Sequence, residues 1–113
     1  MIVIYITCKS KTEALKIGRT LMQKRLATCF NIIPGMYPEC FWPPKTGEIE
    51  KADECVLLVK TLESKFPDIE TEIRKLHSDK TPCIFAIPVS QVSEKYYTWL
   101  ESELNNKPDK IKA

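Results

Sequence analysis

Ile2-Val3-Ile4-Tyr5-Ile6-Thr7-Cys8-Lys9-Ser10-Lys11-Thr12-Glu13 opens on an unbroken β-branched and aromatic run and closes on a capping box. An apolar run without alternation marks a strand covered on both faces or lying in the middle of a sheet, so residues 2–6 predict a central strand. In Ser10-Lys11-Thr12-Glu13 the Ser10 hydroxyl can accept the Glu13 backbone N–H while the Glu13 carboxylate reaches back to the cap, which starts a helix. Ala14, Leu15, Ile17, Gly18, Leu21, Met22 and Leu26 follow at helical spacing, opposite Lys16, Arg19, Gln23 and Lys24. Such a stripe needs a sheet to cover.

Working outward, Thr28 to Ile33 predicts a second strand, interrupted at Pro34-Gly35, with the chain extended through Tyr37, Phe41 and Trp42 until Pro43-Pro44. Proline and glycine there suit a bent or bulged edge strand. Lys45 to Glu54 reads as a polar connection, and Cys55 to Thr61 as a strand that closes a long hairpin. Phe66, Ile69, Ile73 and Leu76 form the stripe of a second helix with Pro67 in its first turn, ended by His77 to Pro82. Cys83 to Val89 is the fourth strand. Ser93-Glu94 opens a last helix through Tyr96, Tyr97, Leu100 and Leu104. The fold class is therefore α+β: a ferredoxin-like βαββαβ sandwich with an extra C-terminal helix, spanning 1–105, and a frayed tail over 106–113.

Composition bounds the function. The 113 residues suit one domain, and 43% hydrophobic with 28% charged residues is ordinary for a globular chain. The net charge is only +2, with basic and acidic residues interspersed, so no nucleic-acid footprint is readable. The run Met1 to Ile6 has no basic stretch before it and is far too short to span a membrane, so the expected location is cytoplasmic. Cys8, Cys29, Cys40, Cys55 and Cys83 are an odd number at irregular spacing with no CxxC, which fits neither a disulfide framework nor a zinc cage.

Nothing local supplies catalysis. His77 is the sole histidine, and an imidazole at the negative end of a helix dipole is commoner as a structural feature than as a base. An acyl-phosphate hydrolase would need a Gly-rich anion loop after the first strand, whereas Lys9 to Thr12 contains no glycine. An enzyme is not expected. Trp42, on an interrupted edge, is an aromatic that a soluble protein would cover, and a second copy of the chain can do so. Tyr96 and Trp99 read first as packing and second as a ligand platform, and Lys60 as a strand-end charge able to meet an anion.

The set Arg25 to Gly35, Trp42 with Gly47-Glu48-Ile49, Val59-Lys60-Thr61, Leu76-His77 followed by Pro82, and Tyr96-Tyr97-Thr98-Trp99-Leu100 resembles the CutA divalent-cation tolerance proteins across essentially the whole chain. The resemblance implies a homotrimer of PII-like architecture, with intersubunit clefts, no catalytic activity and weakly bound copper or another divalent ion. It implies a metal site of His77 and a first-strand cysteine. The family's cysteine position falls at Ile6 here, so Cys8 is a partner only if the metal shifts by about 7 Å along the strand. The family's His-Pro-Tyr is His77-Ser78-Asp79 in this chain, and its Trp-x-Gly-Lys turn is lengthened to Trp42 through Gly47. A second reading is a PII-like sensor or adaptor whose cleft, lined by Trp42, Lys60, Tyr96 and Trp99, holds a small anion or a partner's loop.

Overall fold

The computed structural model describes residues 1–106, 111 and 112. Most of the tail expected to fray, 107–110 and 113, lies outside the described residues. The element order is β1 (Ile2–Cys8), α1 (Lys11–Gln23), β2 (Cys29–Met36), β3 (Glu39–Phe41), β4 (Ile49–Lys51), β5 (Glu54–Thr61), a 3-10 turn (Glu63–Lys65), α2 (Phe66–Leu76), β6 (Ile84–Pro88) and α3 (Glu94–Asn105). The main sheet runs β2-β5-β1-β6, antiparallel throughout, with β1 in the interior as its apolar run predicts. This is the ferredoxin-like order, with β3 and β4 added between its second and third strands.

One face of the sheet carries the core. Ile2, Ile4, Ile6 and Cys8 of β1 and Cys55, Leu57 and Val59 of β5 meet Ala14, Ile17 and Leu21 of α1 and Ile69 and Ile73 of α2 in one buried cluster. Gly18 is where α1 approaches most closely: a Cβ there would stand 2.7 Å from the Phe30 ring, so the absence of a side chain lets helix and strand touch. On the opposite face Lys60 meets Tyr96 of α3 and Val56 is buried. Tyr5 stacks on Phe85 at 4.8 Å between ring centroids, while Ile33 and Ile87 are exposed. The unbroken run of β1 therefore records its interior place in the sheet, with the second face partly exposed in a single chain.

Three local expectations are corrected. The polar connection over 45–54 contains β4, which pairs with β3 as a small separate ribbon, Cys40 opposite Glu50. Its residues look like loop because every one is exposed, so no buried face imposes a pattern. The strand after Thr28 continues through Pro34-Gly35 to Met36, on the sheet edge as expected, with a register shift between Ile33 and Met36 and Gly35 at φ +73°. The first helix ends at Gln23, although Leu26 keeps the helical spacing. Leu26 N–H donates to Leu21 O at 2.9 Å and Arg25 N–H to Met22 O at 3.0 Å, the paired bonds of a Schellman closure. Arg25 holds the left-handed position at φ +55°, so Leu26 folds back onto the core from outside the helix.

Candidate metal centre

The centre forms where β1 ends, α1 begins and α2 stops. Cys8 is the last residue of β1 and, by strand alternation, faces the helices beside Ile4 and Ile6; it is fully buried. Two residues later Ser10 caps α1, its Oγ accepting from Glu13 N–H at 3.2 Å. Glu13 reaches back as the box predicts, with Oε1 accepting from Lys9 N–H at 3.0 Å. Its other oxygen, Oε2, accepts from Ser78 N–H at 2.9 Å, tying the exit of α2 to the entrance of α1. Burial opposes ionisation of Glu13, but the Ser78 and Lys9 hydrogen bonds and the nearby His77 outweigh it and hold the carboxyl below its ordinary range.

His77 is the C-cap of α2, and its extended backbone (φ −75°, ψ 140°) swings the ring toward β1. Val89 N–H donates to Met1 O, so the odd residues of β1 direct their carbonyls toward β6. Pairing with β6 ends at Ile6 opposite Ile84, which leaves the Thr7 carbonyl beyond the end of that strand. His77 Nε2 fills the gap at 2.7 Å from Thr7 O, and Asp79 N–H donates to Nδ1 at 3.0 Å. The imidazole at the end of α2 is 1% exposed, with both nitrogens engaged.

Cys8, Glu13 and His77 thus present ligand atoms within 4.8 Å of one another. The separation that the sequence suggests between Cys8 and His77 closes in the fold. Glu13, legible only as a capping residue, is the third member of the cluster. Burial, followed by the negative potential of Cys55, Glu13, Glu54 and Asp79, pushes the Cys8 thiol up to about 12. A thiolate, an imidazole and a carboxylate at this spacing fit a soft or borderline cation by donor type. The existing bonds work against it, because an ion must take a proton from Cys8 and displace a partner of His77. The residues fit a metal that exchanges rather than one locked in place.

The remaining expected site residues divide between two places. Lys60 Nζ stands 6.0 Å from the centroid of the Tyr96 ring, and Tyr96 and Trp99 lie 5.6 Å apart. Trp99 borders a cleft of about 450 Å³ that includes Arg25, Thr28 and Glu103. Trp42 lines a different cleft of about 540 Å³, with Thr7, Cys40, Glu54, Asp79 and Cys83. Trp42 and Trp99 thus border different clefts.

Fold and cluster together define a ferredoxin-like sandwich with a buried thiol–imidazole–carboxylate group at the joint of its two core helices. Residues 2–103 match the family model described as CutA1 divalent ion tolerance protein. The divalent-cation tolerance protein CutA of Archaeoglobus fulgidus is 40% identical over 98 residues, covering 87% of this chain and 92% of the relative. That of Thermotoga maritima is 38% identical over 104 residues, covering 92% and 99%. Among solved structures, one described as the periplasmic divalent cation tolerance protein CutA from A. fulgidus superposes with a TM-score of 0.87 at 37% identity, covering 93% of this chain and all of that one. The divalent cation tolerance protein from Thermus thermophilus gives 0.83 at 36% identity, covering 88% and 95%. The chain belongs to the CutA1 divalent ion tolerance family.

Proposed function

We propose that this chain is a non-enzymatic, trimeric metal-binding protein of metal tolerance, taking up copper or another divalent ion weakly at Cys8, Glu13 and His77. The observation that carries the reading is the convergence of those three side chains, buried and within 4.8 Å, in a family named for divalent-ion tolerance. Weak binding follows from the competing hydrogen bonds of His77 and Glu13 and the protonated thiol. The same features favour binding over catalysis: a thiol pushed up to about 12 is a poor nucleophile, and an imidazole with both nitrogens occupied is a poor base.

Assembly is supported by Ile33, Phe85 and Ile87 on the partly exposed sheet face and by Phe41, Trp42 and Trp99, large apolar side chains exposed in a single chain. A cytoplasmic setting is supported by five free thiols, which suit a reducing compartment. Among the described residues no helix is long and apolar enough to cross a membrane. Copper and zinc titrations of purified protein test the site. His77→Ala and Cys8→Ser should each weaken binding at least about tenfold, and unchanged isotherms would refute the assignment.

The sensor or adaptor reading has one specific support: among the described residues the buried Thr28 and Tyr96 hydroxyls have no hydrogen-bond partner, Thr28 sharing a cleft with Arg25 and the Tyr96 ring facing Lys60. A cleft uniting Lys60, Tyr96 and Trp99 with Trp42 would need Trp42 from a second copy. Thermal stabilisation by small anions but not by metals would favour this reading.

A further inference from the structure

We propose that the cleft between the end of α1 and α3 is a binding site, complete within one chain, for a planar aromatic monocarboxylate. The proposal does not rest on the metal centre, and the site needs neither a metal ion nor Trp42. The cleft holds about 450 Å³, within the range of small-molecule sites, and is bordered by Met22, Arg25, Thr28, Trp99, Glu103 and Lys112. It lies where α1 turns into β2. Arg25 holds the left-handed position of that turn at φ +55°, which glycine or asparagine takes at lower cost, and a long cationic side chain therefore borders the cleft where glycine would leave none.

Charge, an unpaired hydroxyl and an exposed indole select the ligand. Arg25 bonds through Nη1 alone, donating to Glu103 Oε2 at 2.8 Å and to the Glu103 carbonyl at 3.4 Å. Among the described residues its Nε and Nη2 have no partner, and the side chain is 27% exposed, so a guanidinium pinned at one nitrogen offers the rest of its planar fork to a carboxylate. Two cations, Arg25 and Lys112, and one carboxylate, Glu103, border the cleft. The balance is one positive charge, which suits a monoanion and disfavours a doubly charged phosphate. The buried Thr28 hydroxyl at the cleft wall has no hydrogen-bond partner among the described residues, and the same carboxylate would accept from it. The aromatic part follows from Trp99. Tyr96 braces its indole at 5.6 Å between centroids, yet Trp99 remains 42% exposed, leaving apolar surface for a flat ring to cover, with the Met22 thioether also on the border.

The test is titration of the whole chain with naphthoate, naphthalenemethanol and cyclohexanecarboxylate, followed in an N–H correlation spectrum. Trp42 and Trp99 are the two tryptophans, so their indole N–H signals, told apart with Trp42→Phe, locate the ligand. Naphthoate should shift the Trp99 signal and leave that of Trp42 in place. It should bind at least about tenfold tighter than naphthalenemethanol, which lacks the charge, or cyclohexanecarboxylate, which lacks the ring. Arg25→Lys, which keeps the charge and loses the fork, should weaken naphthoate at least about tenfold. No shift of the Trp99 indole at about 1 mM naphthoate, or equal affinity for the neutral or the non-aromatic analogue, overturns the inference. Unchanged affinity in Arg25→Lys does so too. The analogue comparison uses the unaltered chain and therefore stands even if Arg25→Lys misfolds. A shift of Trp42 together with Trp99 also overturns it, because that result assigns the ligand to a cleft between subunits, as in the sensor reading.

Discussion

Glu13→Gln isolates the carboxylate that joins the two helix ends. Glu13 is 7% exposed and accepts two backbone N–H bonds, from Lys9 at 3.0 Å and from Ser78 at 2.9 Å. Glutamine keeps one acceptor oxygen, so one of those N–H groups must face an amide NH₂ instead. Hydrogen bonds to charged groups contribute about 1.5–3 kcal/mol each, and water recovers part of the loss because Lys9 and Ser78 are exposed, so the expected cost near neutral pH is about 2 kcal/mol. The pH dependence fixes the cause. A carboxyl held below its ordinary 4.5 contributes stability that is fully present above that value and disappears as pH falls through the lower folded value. Urea unfolding of both proteins across acid and neutral pH should therefore show a gap of about 2 kcal/mol at neutrality that closes in acid. A gap that stays constant with pH, or one below about 0.5 kcal/mol at neutrality, would refute the assignment of these bonds to an ionised carboxylate.

Gly18→Ala should cost about 1–3 kcal/mol, because the added methyl meets the Phe30 ring at 2.7 Å, and Phe30→Leu in the same chain should recover part of it in thermal unfolding. Metal affinity should rise with pH by about tenfold per unit around neutrality for each thiol that must ionise, since Cys8 is pushed up to about 12; a pH-independent isotherm would exclude the thiol as a ligand. Phe85→Glu places a charge in the Tyr5–Phe85 stack on the partly exposed sheet face, and light scattering should show the proposed trimer shifted to monomer.

The strands and helices were legible wherever a buried face imposes a period. β1, α1, α2 and α3 announce themselves through apolar residues that must meet a core, and the Ser10–Glu13 box marks the start of α1. β4 was not legible, because Ile49, Glu50 and Lys51 are all exposed and no burial disciplines their order. The end of α1 misleads for the opposite reason: Leu26 packs partly buried against the core through a Schellman closure and so mimics another helical turn.

At the site, His77 and Cys8 could be named from the resemblance, but their contact is a product of topology. β6 starts one residue too late to pair Thr7, and the vacant carbonyl draws the ring of His77 toward β1. Glu13 was visible only in its local role, since the Ser78 N–H that it also accepts lies 65 residues along the chain.

The most direct measurement of the proposed metal centre is anomalous diffraction at the copper edge from crystals soaked in copper. A peak within about 2.0–2.4 Å of Cys8 Sγ and of a His77 ring nitrogen is the predicted result. Copper found only elsewhere, such as between Cys40 and Cys83 in the cleft beside Trp42, would contradict it.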